Sequence, residues 1–335
     1  MRKLVLAASF IVMAFLVTAD VRAERAASID YDFINRPANL PQGFDAPAGV
    51  TLRFLAIKAI DGFRVDAALW QQADKPVAAT TLIVGVHGSG GNFAGPPIGS
   101  ISPLLAAKGY GVVTISTRQH DNLINTDNFV DVRRDIEAAV YTARALGYRV
   151  LVLYGHSLGN IQIQYYAANN WDADIKAVVL SGMFGNLPWK SRHMLVQNED
   201  NFRQLSEAAL KSLRDSKQGD VLPLRMQYFG ENVPLTGQHF LSYRSEASST
   251  ADGTYWIKRI PRPVLMVRDA GDVTVAPFEP YMLLSAATST GSLVPGIKYV
   301  IVPNPKGPNP RGHQFLDNAG PLAETITGWL VEQRL

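Results

Sequence analysis

Four stretches of this sequence carry residues whose types and spacing suit acyl-transfer chemistry. The first is Gly155-His156-Ser157-Leu158-Gly159, a G-x-S-x-G pattern. The second is the glycine-rich run His87-Gly88-Ser89-Gly90-Gly91. The third, Asp269-Ala270-Gly271-Asp272, offers two carboxylates, and the fourth, Gly312-His313, offers an imidazole. A serine hydroxyl is a poor nucleophile near neutral pH. It needs a base within hydrogen-bond reach, a carboxylate to orient that base, and backbone donors aimed at the developing oxyanion.

The chain must therefore place these four stretches at one end of one scaffold, and its hydrophobic pattern does so. Arg149 to Leu153 reads as a buried strand, and Asn160 to Asn169 as a helix, so the serine lies in a strand-to-helix turn. Thr81 to Val86 is a continuous apolar run of the kind covered on both faces, and it feeds the glycine run. Val264 to Val267 is another and feeds the carboxylates, while Ile297 to Val302 precedes the loop that bears His313. Gly111 to Ser116 and Ala177 to Leu180 read as further strands. Helices fit Ile98 to Lys108, the three- and four-residue steps from Phe129 to Leu146, and Phe278 to Ala287. The closing helix turns Leu322, Ile326, Trp329 and Leu330 inward. Strands alternating with helices of this length predict a mostly parallel α/β sheet, here of eight strands, with helices on both faces. Val50 to Ile60 and Phe63 to Trp70, joined at Asp61-Gly62, predict an antiparallel hairpin at its edge.

In that frame Ser157 is the nucleophile and His313 the base. Asp272 is favoured over Asp269 as the acid because it sits further along the loop; Asp269 remains a rival. The Leu158 amide and the Ser89 amide are the expected oxyanion donors. His87 would orient the glycine loop, His120 its own loop, and His156 would be buried at the turn. His193 and His239 lie in an insertion. Two rival chemistries lack their motifs. The glycine loop has no G-K-[ST] ending for phosphate, and no histidine pair has metal-ligand spacing on a helix.

The rhythm breaks between Asn186 and Lys258. One helix is legible there, Asn201 to Lys217, with Phe202, Leu205, Leu210 and Leu213 on one side. Residues 187–258 read as a cap inserted between two sheet strands, with residues 50–186 and 259–335 as the core. Most of the aromatic residues of the insertion (Trp189, Phe202, Tyr228, Phe229, Phe240, Tyr243, Tyr255 and Trp256) are expected to pack it onto that core.

Composition narrows the setting. Arg2 and Lys3 precede the apolar run Leu4 to Val17, and Val21-Arg22-Ala23 offers small residues for cleavage, so residues 1–23 read as an export signal to periplasm or medium. Residues 24–49 read as an extended segment. The formal charge of the 335-residue chain is +3. Arg2, Lys3 and Arg22 against Asp20 account for +2 of it, so the mature chain is close to neutral. A neutral chain without basic clusters has no electrostatic case for nucleic acid, nor for a stable membrane association after cleavage. The absence of cysteine excludes a disulfide framework, a thiol nucleophile and thiolate-bound metal.

At these residues the chain resembles the α/β-hydrolase family. Gly155 to Gly159 matches its elbow, His87 to Gly91 resembles its oxyanion loop, Val264 to Pro277 its strand-and-acid segment, and Gly312-His313 its histidine loop. The acid segment departs from the family in having Arg268-Asp269 where members often have His-Gly. The resemblance implies an α/β-hydrolase fold with a cap, a Ser157-His313-Asp272 triad, no cofactor or metal, and a small-molecule ester substrate. Thioesters, lactones, amides and peptides are served by the same machinery in that family, and a non-catalytic binding protein could keep the scaffold.

Overall fold

The computed structural model describes residues 30–196, 198–228 and 231–335. The expected export signal lies outside the described residues.

The main sheet has nine strands: β1 (Asp30–Ile34), β2 (Val50–Lys58), β3 (Arg64–Gln72), β4 (Thr81–Val86), β5 (Gly111–Ile115), β6 (Val150–His156), β7 (Ile175–Ser181), β10 (Val264–Asp269) and β11 (Ile297–Val302). Strands β8 (Met226–Tyr228) and β9 (Glu231–Val233) form a separate hairpin. The order across the main sheet is β1-β2-β3-β5-β4-β6-β7-β10-β11. Pairing is antiparallel from β1 to β5 and parallel from β5 to β11.

One strand more is present than the eight expected, and the β2–β3 hairpin is not the edge. Residues 30–34 lie along the free side of β2, with Asp30 opposite Lys58 and Ile34 opposite Phe54. Five residues amid Pro, Ala and Asn carry too little periodicity to announce a strand. The open backbone edge of β2 supplies the partner that the local sequence does not. Phe33 remains half exposed on this strand, under the Arg53 guanidinium at 4.3 Å.

Two cores lie on the two faces of the sheet. On one face, Val84, Leu151, Leu153, Val178 and Met266 meet the helices α2 (Val132–Ala145), α3 (Leu158–Asn169) and α5 (Glu279–Ala287). On the other, Ile83, Val152, Val179 and Leu265 meet α1 (Ile98–Ala107) and α6 (Ala319–Glu332) through Ile101, Leu105, Leu322, Ile326 and Leu330. Each such fully buried aliphatic side chain contributes about 1.5–3 kcal/mol of transfer free energy. The central strands are apolar on both sides because both sides are covered.

The segment between β7 and β10 is richer in structure than the sequence announces. Besides α4 (Glu199–Arg214) and the β8–β9 hairpin, it contains short helical turns at Leu187–Lys190, Ser191–Leu195, Phe240–Arg244 and Gly253–Ile257. Helix α4 buries Phe202, Leu205 and Ala209, whereas Leu210 and Leu213 are about half exposed, contrary to expectation. Positions 202, 205 and 209 follow the three- and four-residue steps of one stripe. Leu210 and Leu213 lie beside it and turn partly to solvent. Phe202 and Phe240 sit in a small core of the insertion's own, while Tyr243 joins Leu158, Leu187 and Val275 over the sheet's carboxyl end.

Candidate active site

Ser157 joins β6 to α3 with φ +53° and ψ −120°, a conformation that L residues rarely adopt. The turn is tight because its flanks touch. A Cβ at Gly155 would lie 2.5 Å from the Gly159 carbonyl oxygen, and one at Gly159 would lie 2.5 Å from that of Val86. Only glycine fits either position. The turn is then fastened to β7. The Ser157 amide donates to the Ser181 carbonyl at 3.0 Å. Asn160 also spans the gap, its Nδ2 donating to Ser181 O at 2.8 Å and its Oδ1 accepting from Ser181 N at 3.1 Å.

His313 ends a short helical turn, Pro310–His313, after β11. Its Nε2 lies 2.9 Å from the Ser157 Oγ and its Nδ1 lies 3.0 Å from the Asp272 Oδ2. The Asp272 side chain is fully buried and that of His313 nearly so. Burial raises the Asp272 pKa. The contact with His313 and the amides of Val275 and Thr274 outweigh it and hold the carboxylate below its ordinary range. The two loops can run this close because glycines face each other. A Cβ at Gly312 would lie 2.6 Å from the Gly271 carbonyl carbon.

The two candidate carboxylates have separate tasks. Asp269, fully buried, accepts from the Gly271 amide at 2.6 Å, from Asn304 Nδ2 at 2.8 Å and from Asn318 Nδ2 at 2.8 Å. It ties the end of β10 to both ends of the loop that carries His313, and it does not face the imidazole. Asp272 does. Arg268, where the family pattern differs, donates through one guanidinium nitrogen to the carbonyls of Asp272 (2.9 Å) and Val275 (2.8 Å) and so holds the Asp272 turn from beneath.

The glycine loop lies against the serine. The Thr117 amide donates to His87 Nε2 at 3.0 Å, which leaves the proton on Nδ1, and Nδ1 donates to the Gly88 carbonyl at 2.6 Å. Burial lowers the His87 pKa to about 4, so the ring is neutral. The 88–89 peptide is trans, so fixing its carbonyl on His87 turns the Ser89 N–H to the opposite side. The Leu158 amide is the first of α3, where helix donors have no acceptor within the helix.

The remaining histidines sort by depth. His156 is buried, 4.9 Å from the His313 ring, with Nδ1 3.1 Å from the Ser181 hydroxyl, which in turn meets the Tyr154 hydroxyl at 2.8 Å. Burial, and then the nearby His313, push its pKa well down. His120 pairs with Asp121 in its own loop at 3.0 Å. His193 lies at the surface beside Trp189 and near Glu246. His239 is buried and stacked on Tyr243, 3.6 Å from Asp127.

Sequence reasoning passed over Asn160, Asn304 and Asn318, and noted Arg268 only as a departure from the family's acid segment. Asn160 is one polar residue in the first turn of α3, Asn304 and Asn318 belong to the loop after β11, and the arginine is one charge at a strand end, so none announced its hydrogen bonds. Among the described residues, no helix is long and apolar enough to cross a membrane.

Comparison with known proteins agrees with this architecture. Solved structures of like fold include these three. Est1E from Butyrivibrio proteoclasticus, solved with ferulic acid bound, is 19% identical with a TM-score of 0.59, covering 82% of this chain and 96% of its own. Acetyl xylan esterase from Paenibacillus sp. R4 is 13% identical with a TM-score of 0.58, covering 95% and 93%. The siderophore hydrolase EstB from Aspergillus fumigatus is 14% identical with a TM-score of 0.59, covering 80% and 94%. No curated protein sequence matches the chain. Residues 81–286, more than half of the chain and including Ser157 and Asp272, match the family described as the alpha/beta hydrolase fold. With the serine elbow on β6 and the parallel sheet around it, this match places the chain in the alpha/beta hydrolase fold family.

Proposed function

We propose that the protein is a serine hydrolase that cleaves a carboxylic ester through an acyl-enzyme. The observation that carries this reading is the line of hydrogen-bond distances from Ser157 Oγ to His313 Nε2, 2.9 Å, and from His313 Nδ1 to Asp272 Oδ2, 3.0 Å. In the proposed reaction the Ser157 oxygen attacks the ester carbonyl carbon and its proton passes to His313 Nε2. Collapse of the tetrahedral adduct expels the alkoxy group, which leaves as the alcohol with that proton. Water then attacks the acyl-enzyme, giving its proton to His313, and the carboxylic acid departs as Ser157 is reprotonated. Asp272 keeps the imidazole in the tautomer that accepts at Nε2. The amides of Ser89 and Leu158 are the proposed oxyanion donors.

The preference for an ester draws support from the neighbours of like fold, whose names describe an acetyl xylan esterase and an enzyme with ferulic acid bound. Residues 187–258 are proposed to act as a cap. Leu187 and Leu195 of that segment pack with Leu158, Phe184 and Val275, next to the serine turn. We further propose that the protein is exported by residues 1–23 and acts as a small-molecule enzyme in the periplasm or medium. The N-terminal residue of the protein recovered after secretion tests this.

The test of the catalytic reading is Ser157→Ala assayed on p-nitrophenyl acetate. A loss of about 10⁵- to 10⁶-fold in kcat is expected. Hydrolysis by the variant at the parent's rate refutes the reading.

A further inference from the structure

The turn that presents Asp272 is held from two sides. From beneath, Arg268 grips the carbonyls of Asp272 and Val275. From above comes a buried ion pair whose two members belong to different parts of the chain. Lys190 ends the first helical turn of the 187–258 insertion, and Glu279 opens α5 in the core. Their charged atoms meet at 2.6 Å, with the side chains 4% and 1% exposed.

Neither group stops at the other. Lys190 Nζ also donates to the Thr274 carbonyl at 3.2 Å, and Glu279 Oε2 also accepts from the Ala276 amide at 2.8 Å. The pair therefore clamps the backbone on either side of Val275. The same stretch of backbone holds the acid. The amides of Thr274 and Val275 donate to Asp272 Oδ1 at 2.8 Å and 3.1 Å. With Oδ1 occupied by those amides, Oδ2 is the oxygen directed to His313 Nδ1. A connected path thus runs from Lys190 through the 274–276 turn to the imidazole.

Burying two charges costs several kcal/mol per ion, and an apolar pair of like volume is often as stable. Stability alone is a weak reason for this pair. Its shared hydrogen bonds with the acid's turn give it a second effect, that of fixing where the carboxylate stands. We propose that Lys190 and Glu279 are positioning residues, a strut through which the insertion sets the placement of Asp272 against His313. The inference rests on the serine-hydrolase reading above.

The experiment compares the full-length parent with Lys190→Met/Glu279→Met, Lys190→Arg and Asp272→Asn. The readouts are kcat and KM on p-nitrophenyl acetate, melting temperature, and the downfield proton resonance of the His313 Nδ1–H, assigned by its loss in Asp272→Asn. The double variant leaves no lone buried charge, but the Thr274 carbonyl and the Ala276 amide each lose a partner, so a melting temperature lowered by several degrees is expected from a folded protein. It is expected to lose 10-fold to 100-fold in kcat at unchanged KM, because a misplacement of about 1 Å costs about that much. Its downfield resonance is expected to broaden or move. Lys190→Arg retains the charge but brings a planar fork where a compact ammonium fitted, so a severalfold fall in kcat at unchanged KM is expected. Should the double variant not fold, the arginine variant decides. A folded variant with the parent's kcat and resonance overturns the strut while leaving the serine-hydrolase reading intact. A parent that neither hydrolyses the ester nor reacts at Ser157 with a fluorophosphonate overturns that reading, and the resonance still reports on the strut.

Discussion

Gly88 packs on Ser157 so closely that a Cβ at residue 88 would lie 2.8 Å from the Ser157 Cβ and 3.4 Å from its Oγ. Backbone, not side chain, therefore forms the wall beside the proposed nucleophile. Gly88→Ala must push the elbow or the loop aside. A fall of about 100-fold in kcat is expected, with little change in melting temperature, because the loop can shift without opening a core. Steady-state kinetics beside a thermal melt checks this, and a parental kcat in the alanine variant contradicts it.

The two aspartates beside β10 should fail differently. Asp272→Asn keeps the shape but removes the charge that orients His313, and about a 10⁴-fold loss in kcat is expected from a folded protein. Asp269→Ala strands the buried Gly271 amide and takes one acceptor each from Asn304 and Asn318, a buried unpaired donor costing about 1–3 kcal/mol. The expected result is a lowered melting temperature, with activity lost only as the His313 loop comes loose. Urea titration and kcat measured on both variants separate them; the reverse pattern would make Asp269 the acid.

His87 couples the glycine loop to pH. Its pKa falls from 6.5 to about 4 on burial, while in the unfolded chain it titrates near its ordinary value. Between these two values the unfolded state binds the extra proton, so stability is lost as pH falls from about 6.5 towards 4. By pH 5 the loss from this group is on the order of 2 kcal/mol. His87→Asn lacks that titration. Its stability deficit against the parent should shrink between pH 8 and pH 5, in urea melts at the two pH values. The same variant frees the 88–89 peptide and should lower kcat by about 10²- to 10³-fold, the loss of one oxyanion donor.

Asp127 acts in the opposite sense. It lies against the 236–244 part of the insertion, accepts from the Tyr243 hydroxyl at 2.9 Å and faces Gln119. Burial raises its pKa from 3.8 to about 7. A raised acid contributes stability that is complete below its unfolded pKa and is lost as pH rises through the folded one. Asp127→Asn carries no such dependence, and the free Gln119 Oε1 can accept from its new amide once the Gln119 side chain flips. The variant should therefore gain on the parent by about 4 kcal/mol between pH 4 and pH 8. A difference that is flat with pH contradicts this.

Much of the scaffold was legible because covered parallel strands must be apolar along their whole length. The runs at Thr81, Gly111, Arg149 and Val264 announced themselves, and their neighbours fell at the matching strand ends; Ile297–Val302, though only partly covered at the sheet's edge, was legible from its β-branched residues. Strand β1 was not legible, since its partner is an edge formed by distant residues. Leu210 and Leu213 misled because hydrophobicity alone does not say whether another element arrives to cover a helix.

By itself the sequence determined the chemistry on offer. Glycines at 155 and 159 can only mean close approach, and a serine between them in a strand-to-helix turn is presented for reaction. Chain order then named His313 as its base. Only the tertiary structure shows which of Asp272 and Asp269 faces His313, because both follow the same strand and three residues of loop can point a carboxylate either way. The difference comes from near and far groups together. Asn304 and Asn318 claim Asp269, while the amides of Thr274 and Val275, in a turn braced by Arg268 and by Lys190 with Glu279, leave one Asp272 oxygen for the imidazole. Hydrogen-bond demand within a folded core is a property of what is brought together, and spacing along the chain does not contain it.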